Sequence, residues 1–178
     1  MLRLILAFGL AAGLIAIVPM SFMVAGSASP AAHSMVAGYA VMLLALSLVL
    51  VGVKRYRDRV LGGAIRFLPA LGVGLAISTV AGIVYVIGWE VTLAVTDFAF
   101  VDDYAAFVIE AKRAAGAPAA EVAKVNADMA AFREQYMNPA FRLPMTFAEI
   151  FPVGILVSLV SAALLRNSRF LPACAAPA

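Results

Sequence analysis

The sequence predicts an all-α membrane protein: four transmembrane helices, with a two-helix amphipathic extracytoplasmic insert between the third and the fourth. Three observations lead there. The chain is 65% hydrophobic and 13% charged, with a mean hydropathy of +1.02, whereas soluble domains run near 45–50% apolar and about 25% charged. Four apolar runs are long enough to cross about 30 Å of hydrocarbon. The one substantially polar stretch, 97–142, falls between the third and fourth runs. A soluble fold of 178 residues has no interior large enough for this much apolar surface. A bilayer removes the need to bury it.

The first run, 2–24, is apolar apart from Arg3. Read as a secretory signal it would use Arg3 as its basic flank and Ser27-Ala28-Ser29 as a small-residue cleavage site. Its apolar stretch of roughly 20 residues exceeds the 7–15 of such a signal, so an uncleaved span is expected. Gly9 and Gly13 form a GxxxG pair, which permits close helix approach. A short loop follows, containing His33. The second run covers 35–53.

Lys54, Arg55, Arg57, Arg59 and Arg66 come next. They are five of the thirteen Lys and Arg residues, and they are expected in a loop that sets topology and contacts lipid head groups. Positive-inside bias places that loop in the cytoplasm. Gly62-Gly63 gives a joint before the third span, about 65–95, where Pro69 in the first turns lacks a donor that would be unused there anyway. Ala70, Gly74, Ser78 and Gly82 recur every four residues and make a close-packing face. Tyr85 and Trp89 mark the far interface, with Glu90 beside them.

Residues 97–142 carry seven acids and five bases, as suits the side opposite the basic loop. They read as a helical hairpin, about 101–138, broken at Gly116-Ala117-Pro118. Val122, Val125, Met129, Phe132 and Tyr136 form an apolar stripe at helical spacing. The fourth span, 143–165, carries Gly154, Ser158 and Ala162 as a second small stripe, matching that of the third. Arg166 and Arg169 close it. Both termini therefore lie on the basic side, and all 178 residues form one membrane domain.

Candidate chemistry gathers at the far end of the third and fourth spans. Glu149 lies about 17 residues before Arg166, or roughly 26 Å along a helix. An acid at that depth is costly unless it is neutral, paired or facing water. If the two spans pack together, Glu90, Glu149, Arg142, Trp89 and Tyr85 line a polar pocket for a proton, a cation or a lipid head group, with Arg142 as counter-charge and Thr146 alongside. The plainer expectation is that the acids satisfy backbone freed by Pro144 and Pro152. No nucleophile–base pair, phosphate loop or metal spacing is visible in the sequence, and Ser158 and Ser161 have no base nearby. Neither cofactor nor nucleic-acid partner is expected, and Cys174 reads as an inert tail thiol.

The segments Gly52-Val53-Lys54-Arg55-Tyr56-Arg57-Asp58, Gly62-Gly63 with Ile65 and Phe67, Tyr85-Val86-Ile87 with Trp89-Glu90, and Phe147 through Gly154 resemble a bacterial membrane-protein family known as domain of unknown function 4199. The likeness runs from the first span to Arg166. It implies four membrane helices with an outer helical insert, and brings no activity. Leu68 stands where many members carry glycine.

The expected function is thus a non-enzymatic scaffold or regulator of a complex in the bacterial inner membrane, partnered by lipids and by another membrane protein or further copies of itself. The alternative is a small transporter or ion-conducting protein using Glu90 and Glu149. A lipid-modifying enzyme comes third, since it would need a His or Asp beside Glu149.

Overall fold

The computed structural model describes residues 1–26 and 35–173. Ser27-Ala28-Ser29, His33 and Cys174 lie outside the described residues. Among these residues six helices follow in order: α1 (Leu2–Ala25), α2 (Met35–Val60), α3 (Phe67–Val95), α4 (Ala99–Ala114), α5 (Ala119–Met137) and α6 (Pro139–Leu165). There is no strand among the described residues. Four helices, α1, α2, α3 and α6, are long and apolar enough to cross a membrane, and α4–α5 form the insert between the last two.

α3 is the centre of the bundle, with its largest interfaces to α1 and α6. Both depend on side chains small enough to let backbones approach. Against α1 the register is parallel. Gly9 faces Val80, Gly13 faces Val84 and Ile17 faces Gly88. Ser21 Oγ and Thr92 Oγ1 then bond at 2.6 Å with the same 71-residue stagger. A Cβ on Gly9 or Gly13 would sit 2.5–2.6 Å from a valine Cβ, so the GxxxG pair is spent on α3.

Against α6 the register is antiparallel. A Cβ on Gly74 would lie 2.9 Å from Ser158 Cβ, and one on Gly154 would lie 2.8 Å from Ser78 Cβ. Ser78 Oγ and Ser158 Oγ lie 3.1 Å apart, and each donates to the Gly154 carbonyl, at 3.2 and 2.7 Å. The two small stripes meet face to face. In a bilayer, where apolar burial contributes little between helices, such packing and hydrogen bonding hold the interface.

Two boundaries differ from the sequence expectation. The basic stretch is not a loop: α2 continues through it to Val60. Lys54 Nζ meets Asp58 Oδ2 at 2.5 Å one turn on, and the buried face Leu46, Val49, Val53 runs on to Arg57, which has 0% exposure. The turn comes later, at Gly62 and Gly63, whose φ values of 71° and 98° suit glycine. At the other end α6 begins at Pro139 rather than near 143, because the Asn138 side chain accepts from Ala140 N–H and Pro139 opens the helix.

Arg57 also corrects its expected role. Its Nη1 donates to the Phe170 carbonyl at 2.9 Å, its Nη2 to the Leu171 carbonyl, and its Nε to Asp58 Oδ1 at 2.7 Å. A buried, fully engaged guanidinium is closed to lipid head groups. It pins the segment after α6 to the end of α2. Arg55, Arg59 and Arg66 remain exposed, with Arg55 over the Phe8 ring at 5.8 Å.

Candidate binding chamber

The insert is tied to the bundle at one joint. Arg142, 3% exposed, donates from Nε to Glu90 Oε1 at 2.7 Å and from Nη2 to Glu90 Oε2 at 2.6 Å. Its Nη1 reaches the carbonyls of Tyr136 and Met137, at 2.8 and 3.3 Å. The guanidinium also lies over the Phe98 and Tyr136 rings, at 5.1 and 5.8 Å. One side chain thus holds the ends of α3, α5 and α6 together with the α3–α4 turn. That turn is tight: Asp97 and Phe98 take φ of 54° and 60°, a left-handed pair of the kind that persists only where surroundings impose it.

Beneath the insert lies a chamber of about 460 Å³. Its bundle wall is Met20 from α1, Tyr85 and Trp89 from α3, and Met145 and Glu149 from α6. Its insert wall is Phe100, Val101 and Tyr104 from α4, and Met129, Phe132 and Tyr136 from α5. The Val122–Tyr136 stripe therefore contributes its last three members to this wall. Trp89 Nε1 donates to Tyr136 Oη at 2.7 Å, and its ring meets Phe100 edge-on at 5.1 Å. Burial pushes the Tyr136 phenol above its usual range, and the nearby Glu149 charge adds to that against the pull of the Trp89 N–H and of Arg142. Tyr85 Oη faces Met20 Sδ at 3.6 Å.

The five residues expected to share one pocket are divided between two places. Tyr85, Trp89 and Glu149 line the chamber. Glu90 and Arg142 form the joint beside it. The antiparallel register explains the split. Glu90 falls opposite Arg142 in the same alignment that sets Ser78 opposite Gly154, and Glu149 lies seven residues further down α6, roughly 10 Å away. Thr146 is buried beside Tyr136. Glu149 is exposed to the chamber and makes no hydrogen bond or ion pair among the described residues. Nor do three His, Cys, Asp or Glu side chains gather as a metal site among those residues.

Sequence reading missed the insert's share of the chamber. Phe100, Tyr104, Met129 and Phe132 carried a signal as apolar residues in the polar stretch, but nothing said which face of α4 met the bundle. It also missed Arg57, for which the signal was complete: Val49, Val53 and Arg57 are four apart.

No curated protein and no solved structure matches the chain. A family model does, over residues 6–167, and with that extent the chain belongs to the family described as protein of unknown function (DUF4199).

Proposed function

We propose that this is a non-enzymatic integral membrane protein, a regulator or scaffold of a membrane complex, and that the chamber beneath α4–α5 holds the small ligand to which it responds. The observation that carries this reading is the chamber's construction. One wall is spanning helix and the other is the insert. A molecule seated there touches both, and so favours whichever seating of the insert it fits. Pockets of roughly 300–1,000 Å³ with apolar walls and a few polar groups are the usual form of small-ligand sites.

Positive-inside bias puts the end with exposed Arg55, Arg59 and Arg66 in the cytoplasm. Both termini are then cytoplasmic, the insert is extracytoplasmic, and in a bacterium the membrane is the inner one. The transporter alternative has lost one of its two acids, since both Glu90 oxygens are held by Arg142.

Native mass spectrometry of the protein released gently from its own membranes tests the proposal. The expected result is a drug-sized adduct or a larger protein partner, with the adduct absent from a Met129→Trp variant that fills the chamber. A chain that leaves the membrane bare, with neither adduct nor partner, would overturn it.

A further inference from the structure

The walls of the chamber also specify the chemistry of its occupant; this step rests on the binding reading above. Tyr85, Trp89, Phe100, Tyr104, Phe132 and Tyr136 supply six aromatic rings. The faces of such rings attract cations, tryptophan most strongly. Met20, Met129 and Met145, with Val101, make the aliphatic part of the wall, and the flexible, polarisable thioethers adapt to an irregular apolar body. Among the described residues, no Lys, Arg or His lines the chamber.

Its one formal charge among the described residues is Glu149. Arg142, the base of the joint beside the chamber, is committed to Glu90 and to two backbone carbonyls. The Trp89 N–H is engaged on Tyr136 and the Tyr85 hydroxyl faces Met20, which leaves the Tyr104 hydroxyl as a neutral polar handle in the wall. A carboxylate among apolar walls without a counter-ion is costly, and a cation on the ligand removes that cost.

We propose that the chamber binds a lipophilic ammonium compound, its positive nitrogen between Glu149 and the aromatic faces and its apolar body against the methionines. A free amphiphile and a lipid ammonium head group share this chemistry; a chamber of about 460 Å³ would enclose a drug-sized amphiphile whole, and the lipid arm of the test separates the two sources.

Trp89 is the chain's one tryptophan and lines the chamber, so its emission reports occupancy without a label. The experiment titrates decyltrimethylammonium, its uncharged isostere ending in a tert-butyl group, and decyl sulfate into protein held in an uncharged maltoside detergent. The expected result is a saturable change with the ammonium compound at lower concentration than with the isostere, and a Kd raised about tenfold or more by Glu149→Gln. Wild-type protein alone decides the sign of the charge, should Glu149→Gln fail to fold. If isostere and cation bind equally, or if decyl sulfate binds best, the cation assignment falls while a small-ligand chamber stands. If no compound moves Trp89 emission, both readings fall. Repeating the titration in phosphatidylethanolamine nanodiscs separates the sources: an affinity lowered in wild type but not in Glu149→Gln would overturn the free amphiphile in favour of the lipid ammonium group.

Discussion

Arg142 grips both carboxylate oxygens of Glu90, at 2.7 and 2.6 Å, and by doing so leaves Glu149 without an ion-pair partner among the described residues. The two acids have opposite fates because of helix register. Glu90 is a structural element of the insert joint. Glu149 is the charge presented to the chamber.

The joint is expected to behave as a coupled unit. Arg142→Met leaves Glu90 unpaired and uncaps the Tyr136 carbonyl. Breaking one side of a fully buried pair typically costs about 3–5 kcal/mol; with Glu90 30% exposed, a smaller loss is expected here. The double variant Glu90→Gln with Arg142→Met should lose less than the two single losses added together. Thermal unfolding in detergent, analysed as a double-mutant cycle, reads this. Additive losses would mean that the pair is incidental.

Helix packing gives a prediction with an internal control. Gly154→Val would drive its new methyl groups into Ser78, whose Cβ already lies 2.8 Å from where a Cβ at 154 would be. Overpacking of this kind costs about 1–3 kcal/mol. Gly72→Val, on the side of α3 where a Cβ meets nothing within 4 Å, should leave the melting temperature nearly unchanged. Equal effects at both positions would contradict the face-to-face stripes.

Arg57 should hold the segment after α6. Arg57→Gln removes donors to the Phe170 and Leu171 carbonyls, so the exposed Arg169 is expected to become a faster trypsin site while α1–α6 stay intact. Cleavage at an unchanged rate would show that the segment is secured in some other way.

On the insert, Arg133 holds Asp102 through Nε and Nη2, at 2.5 and 3.1 Å. This hydrogen-bonded guanidinium sets the Asp102 carboxyl below its ordinary value of 3.8. A carboxylate depressed in the folded state adds stability above its unfolded value and loses it as pH falls through the folded one. The hairpin should therefore be insensitive to pH near neutrality and loosen only in strong acid. Carboxyl NMR titration should find Asp102 below the free range, and Arg133→Gln should restore it. An unshifted Asp102 in wild type would show that the pair does not persist in solution.

Much of this was legible in the sequence for a physical reason. Lipid imposes one strong rule, long apolar helices flanked by charge, and the four spans obey it. The small stripes on α3 and α6 announced their own contact, because Gly74 and Gly154 have no other use at four-residue spacing beside Ser78 and Ser158. What stayed hidden was register. Glu90, Arg142 and Glu149 all lie near one end of two neighbouring helices, and only the alignment of α3 with α6 decides which acid Arg142 takes. Arg57 was hidden by habit of reading: basic residues after a span suggest a loop, although the face from Val49 through Val53 already pointed inward.

The most direct test separates the two acids chemically. An apolar carbodiimide modifies carboxyl groups that are reachable from apolar surroundings and free to take up the proton the reaction needs, which a carboxylate gripped by a guanidinium is not. After treatment of the protein in membranes, peptide mass spectrometry should find the adduct on Glu149 and not on Glu90, and decyltrimethylammonium should protect Glu149. Modification of Glu90 in preference to Glu149 would contradict both the Arg142 joint and the open chamber.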